Sequence, residues 1–193
     1  RRASPLYGAW EAGRRELSWY RRMLGEEPWP SEPEAESLIA SEKLPADARL
    51  LNSLAWRLVD PDGARIVYGR ELEGLLLARR ALALASDADR SAMRDTLAWA
   101  LFRCGRFEEA LAEVQRALAE AAGPQLAALA GSEQSMRAQI ASWKPQEGDA
   151  NAAELRARRQ ARLVRLAPRV EALSTLVNLK QTLVFEGAQD RWW

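Results

Sequence analysis

An all-α fold is predicted by three features of this chain. Ala, Leu, Arg and Glu dominate its 193 residues, while strand formers are sparse and never alternate over a sustained stretch. Apolar residues recur every three or four positions through most of the length, the period of a helix with one buried face. Short signatures also return: Leu54-Ala55-Trp56 matches Leu97-Ala98-Trp99 at an interval of 43, and Arg80-Ala81-Leu82-Ala83 matches Arg116-Ala117-Leu118-Ala119 at 36. An apolar content of 48% is enough to bury a core, and the length fits one domain or one with an extension.

In chain order, residues 6–24 carry Trp10, Gly13, Leu17, Tyr20 and Leu24 at helical spacing, with Arg14, Arg15, Arg21 and Arg22 off that stripe. They predict an amphipathic first helix that Gly25 ends. Pro28, Pro30 and Pro33 block helix and central strand alike, so 26–33 is expected to be a surface loop; Glu34 to Lys43 is expected to form a short helix before Pro45. Residues 1–46 are therefore an N-terminal helix and proline-rich loop. Residues 47–86 predict a first helical hairpin whose inter-helix loop is enlarged by the turn Asp60-Pro61-Asp62-Gly63. Asp95 to Ala121 predicts a second, clearer hairpin, with Leu97, Ala98, Leu101 and Phe102 packed on Phe107, Ala110, Leu111, Val114, Ala117 and Leu118 across a turn at Gly105. A glycine there can take the left-handed backbone conformation that costs other residues about 1–2 kcal/mol.

With Gly105 at the turn, Leu97, Ala98, Leu101, Phe107, Ala110, Val114 and Ala117 fall where the tetratricopeptide repeat has its large and small residues, and the segment resembles one such unit. Arg94 departs from the pattern where an aromatic is usual, and the closing proline is displaced to Pro124. The resemblance implies an α-α superhelix of stacked hairpins over 47–143, closed by a capping helix that carries Leu126, Leu129, Met136, Ile140 and Trp143. It also implies that the first helix of each hairpin lines a concave groove. Asn52 and Trp56 of the first hairpin would then stand beside Asp95, Trp99 and Arg103 of the second, as candidate contacts to a protein or peptide partner. The competing place for both tryptophans is the core.

Lys144 to Asp149 punctuates the chain again, and 150–193 is expected to be a C-terminal helical extension. Its stripe of Leu155, Leu163, Leu166, Val170, Leu173 and Val177 should either pack along the repeats or pair with another chain as a coiled coil, making homo-oligomers; Pro168 should kink or split it. Arg158, Arg162, Arg165 and Arg169 share one face. That basic face could grip phosphates or an acidic partner, although a solvated face is the plainer reading.

Lys plus Arg total 28 against 27 for Asp plus Glu, which gives no overall field to favour nucleic acid or a membrane. Histidine is absent, which removes the usual general acid–base, Ser-His, Cys-His and catalytic zinc arrangements; no enzyme activity, cofactor or metal is expected in this segment. Asp60-Pro61-Asp62-Gly63 lacks the further ligands of a calcium loop. Cys104 has Arg103 and Arg106 nearby to lower its pKa, but no base or second thiol, and is expected to be a small semi-buried residue. No run approaches the length of a signal or transmembrane helix, so a cytoplasmic location is expected. The chain opens on Arg1 and closes on Trp192-Trp193, which reads as a fragment of something larger. Its closing F-E-G-A-Q-D-R-W-W is similar to a segment that follows a predicted coiled coil in large bacterial serine/threonine protein kinases and related signalling proteins, and that similarity implies a regulatory region whose catalytic domain lies elsewhere.

Overall fold

A computed structural model describes residues 5–33, 36, 44–62, 66–143 and 152–189, and among them every regular element is a helix. The elements are α1 (Pro5–Met23), α2 (Ala48–Val59), α3 (Glu71–Ala83), α4 (Asp87–Arg103), α5 (Phe107–Glu120), α6 (Gln125–Trp143) and α7 (Ala152–Gln189). Helices α2 and α3 pack as one hairpin and α4 and α5 as a second. The hairpins adjoin through α3 on α4, and α2 also touches α4, so the leading helices of the two units lie side by side. Helix α6 follows against α5 and α4. The expected short helix at 34–43, Gly63, the break at 144–149 and Asp190 to Trp193 lie outside the described residues, Glu36 apart.

The hairpins close because small residues stand at their contact lines. Ala55, Ala78, Ala81, Ala98, Ala110 and Ala117 are all fully enclosed, and Leu51, Leu75, Met93 and Val114 fill the space between them. Asp47 starts α2 by accepting a 2.7 Å hydrogen bond from the Leu50 amide, which satisfies one of the donors that a helix start leaves bare. Gly105 ends α4 at φ +73°; its amide donates to the Phe102 carbonyl and that of Arg106 to the Leu101 carbonyl. The hairpin turn is thus where the spacing put it, although α4 begins at Asp87, well before the Asp95 at which the apolar pattern becomes clear.

The proline-rich loop is less detached than its composition suggests. The Trp29 indole lies over Gly105, and Glu32 pairs with both Arg79 on α3 and Arg106 before α5, at 2.7 Å each. Gly25 ends α1 at φ +78°, with its amide on Arg22 and that of Glu26 on Arg21. At the far end, α7 runs as one helix through Pro168, so the expected split does not occur. The carbonyl that Pro168 leaves without a donor belongs to Val164, and both residues are exposed, so water can serve it. The apolar stripe of α7 packs on α1, burying Leu163, Val170 and Val177, with Val170 against Gly13. The described part of the helix thus lies against α1 rather than along the hairpins.

Two glycines make the packing testable. A Cβ on Gly74, in α3, would sit 2.5 Å from Val59 Cγ1 and 3.2 Å from Leu58 Cβ, whereas one on Gly131, in α6, would meet nothing within 4 Å. Gly74→Ala should therefore lower stability by about 1–3 kcal/mol through overpacking, and Gly131→Ala should raise it by up to about 1 kcal/mol through helix propensity. Denaturant unfolding of both variants beside the native chain reads the two signs.

Candidate functional site

The predicted groove residues divide into two groups. Asn52 and Trp56 on α2 and Asp95 on α4 are half-buried, on the leading helices that lie side by side. Trp99 and Arg103, each one turn further along α4, are only 3% exposed. Trp99 is thus a core ring, edge-on to Phe102 at 5.5 Å, and of the two tryptophans only Trp56 keeps surface for an outside contact. The difference has a physical cause: α1 covers the end of α4. The Trp19 indole N–H donates to the Arg103 carbonyl at 3.0 Å, and its ring lies 4.6 Å from the Arg103 guanidinium.

Arg103 is accordingly the hub of a buried polar cluster. Its guanidinium donates to the Val67 carbonyl at 2.8 Å and lies 3.5 Å from Glu71, itself 3% exposed. Glu71 also accepts from the Gly69 amide at 2.8 Å, which fixes the chain entering α3. Burial pushes the Glu71 carboxyl above the usual carboxylate range, against the opposing pull of its own amide, that of Gly69 and the Arg103 charge. Burial likewise draws Arg103 below its ordinary value, with Glu71 opposing. Tyr68 stands over the same guanidinium at 5.1 Å, and burial pushes its hydroxyl up to about 12, so the hydroxyl stays protonated.

Around this cluster a pocket of about 170 Å³ opens between α1, the chain before α3, α4 and α6, walled by Trp19, Tyr20, Tyr68, Trp99, Arg103 and Trp143. The rings meet one another edge-on or tilted, Trp19 against Tyr20, Tyr68 and Trp143 at 5.2–5.5 Å. Trp19, Glu71 and Tyr68 gave no sequence signal as site residues. Trp19 lies off the apolar stripe of α1 and Tyr68 lies in the enlarged loop, and an aromatic out of register on an otherwise amphipathic helix is the cue that could have found the first.

On the hairpin face, Asn52 Oδ1 and Asp95 Oδ1, at the positions the repeat interval makes equivalent, are both enclosed and have no hydrogen-bond partner among the described residues. Burial raises the pKa of Asp95, and the Ser132 hydroxyl of α6 nearby pulls it down less strongly. The basic face of α7 is exposed at Arg158, Arg162, Arg165 and Arg169, but Arg158 pairs with Glu154 and Arg162 with Glu16 on α1, so half of its charge is already met. Arg106 and Arg103 do pull the Cys104 thiol down as expected, but burial outweighs them. The thiol is 3% exposed, and burial pushes it far up. No cluster of metal-binding side chains and no helix long and apolar enough to cross a membrane occurs among the described residues. Comparison with family models, with curated proteins and with solved structures finds no match to this chain.

The Asp95 carboxyl gives a test with a defined sign. Its raised folded-state pKa means that the folded chain holds this proton more tightly than the unfolded one, so this group's contribution to stability is largest below the unfolded carboxyl pKa and is lost as pH rises through the folded value. Asp95→Asn should therefore be more stable than the native chain at neutral pH, with the gap shrinking as pH falls past the ordinary aspartate value. Thermal unfolding of both proteins across that range measures the gap.

Proposed function

We propose that this chain is a non-catalytic protein–protein interaction module, a tetratricopeptide-like scaffold whose α2–α4 face receives a protein or peptide segment. The observation that carries this reading is the pair of enclosed acceptors at equivalent places, Asn52 Oδ1 and Asp95 Oδ1, with no donor among the described residues. A buried acceptor left unmade costs about 1–3 kcal/mol, and an incoming backbone or side chain whose docking shifts the groups over these two oxygens would remove that cost at both positions. Trp56, half-buried beside Asn52 on α2, supplies the amphipathic ring that commonly anchors such contacts. The similarity of the closing F-E-G-A-Q-D-R-W-W is the support for placing the module beside a signalling protein.

The test leaves the core intact. Affinity capture with the native chain, followed by identification of what is held, should yield a partner whose binding weakens at least about tenfold (1.4 kcal/mol) in Trp56→Ala, while circular dichroism is unchanged. Capture that survives both Trp56→Ala and Asn52→Ala at full strength removes this face from consideration.

A further inference from the structure

The aromatic pocket between α1, α4 and α6 has a chemistry of its own, distinct from the half-buried face of Asn52 and Trp56. Its volume, about 170 Å³, is close to the roughly 150 Å³ of a cavity that holds benzene. One ring with a small substituent is therefore the size it admits. Its walls of tryptophan and tyrosine suit a flat apolar group, since such rings gain from edge-on and offset contacts with another ring.

The charge of that group follows from the arginines. An aromatic enclosure commonly takes a cation over its ring faces, but here protein guanidiniums already occupy them. Arg103 lies 4.6 Å from Trp19 and 5.1 Å from Tyr68, Arg159 lies 4.3 Å from Trp143, and Arg162 lies 4.9 Å from Tyr20. A second cation would meet these charges at short range. The unmet hydrogen-bonding capacity points the same way. Arg103 Nε and Arg159 Nη2 are both enclosed without an acceptor among the described residues, and both are donors. Arg103 itself lines the pocket and is 3% exposed. Arg103 is balanced by Glu71 and Arg162 by Glu16, whereas Arg159 donates only to the Trp143 carbonyl and forms no ion pair among the described residues. One positive charge is left over beside the rings.

We propose that this pocket binds a small aromatic carboxylate, its ring among Trp19, Tyr68, Trp99 and Trp143 and its carboxylate turned to the guanidinium of Arg103, with the unbalanced charge of Arg159 behind the Trp143 ring. The ligand would touch α1, the chain before α3, α4 and α6 together, so binding also fastens the first helix to the hairpins. This inference does not depend on the docking face, because neither Asn52 nor Trp56 lines the pocket; loss of partner capture in Trp56→Ala says nothing about it, and the converse holds.

Phenylacetate, its neutral counterpart phenylacetamide and the cation benzylamine serve as probes in isothermal titration calorimetry with the full chain. The expected result is saturable one-to-one binding of phenylacetate, with the amide and the amine at least tenfold weaker, and a rise in the thermal unfolding midpoint with phenylacetate alone. Gln139 also lines the pocket, from α6, and Gln139→Phe should fill the space and abolish binding while circular dichroism shows the free protein still folded. Arg103→Lys, which keeps the charge but removes Nε, should weaken phenylacetate at least tenfold. If Arg103→Lys fails to fold, the Gln139→Phe result decides. Absence of saturable phenylacetate binding, equal binding of the amide or the amine, or undiminished binding in folded Gln139→Phe each overturns the proposal.

Discussion

A guanidinium placed where water does not reach has to be solvated by the chain itself, and Arg103 imposes that requirement on two other parts of this molecule, α1 and the chain entering α3. The Val67 carbonyl, the Glu71 carboxylate and the faces of Trp19 and Tyr68 are its replacements for a hydration shell. They come from two stretches of sequence, the chain entering α3 and α1, and the Trp19 indole N–H closes the set by bonding the Arg103 carbonyl. A buried ion pair of this kind is weak evidence for stability, since the desolvation of both partners offsets much of their attraction. It is stronger evidence for position. Removing one member would leave the other charged and unpaired, so the first helix and the entry to α3 are tied to the same point on α4.

The hairpins rest on a different principle. Alanine and glycine at the contact lines let backbones approach, and leucine, methionine and valine fill what remains. Gly74 shows how little room is left, because the space its missing side chain would need is held by Val59. Packing of this sort is local in sequence and nearly free of polar groups. The molecule therefore combines an apolar repeat with a polar junction at its edge, and the candidate sites lie along that junction and beside it.

Sequence patterning recovered the local part well. Most of the helices, the turn at Gly105, the extent of the first hairpin and the buried stripe of α7 follow from apolar spacing and from where glycine and proline stand, because those signals act within a few residues; the start of α4 at Asp87, where no apolar pattern marks it, does not. The non-local part was not legible. Nothing in the spacing of α4 says that α1 will cover its end, so Trp99 and Arg103 read as groove residues when the first is a core ring and the second a buried charge. Arg103 could not be matched to Glu71 from sequence, since 32 positions and a helical turn of no fixed geometry separate them. Asn52, Trp56 and Asp95 lie half-buried on the leading helices of the two hairpins, and Ser132 of α6 reaches the Asp95 carboxyl, a contact the spacing does not announce.

The docking of α7 on α1 joins the two helices that stand furthest apart along the chain. Bringing such distant segments together requires closing a very long loop, whose entropic cost is met before the contact returns anything, whereas each hairpin closes a short one. The order of assembly follows: the middle of the chain can form first, and the outer pair can seat only on a finished surface. The clasp of α1 and α7 is therefore the part whose seating depends on everything between, and Arg103 with its aromatic surround is enclosed only once α1 has taken its place.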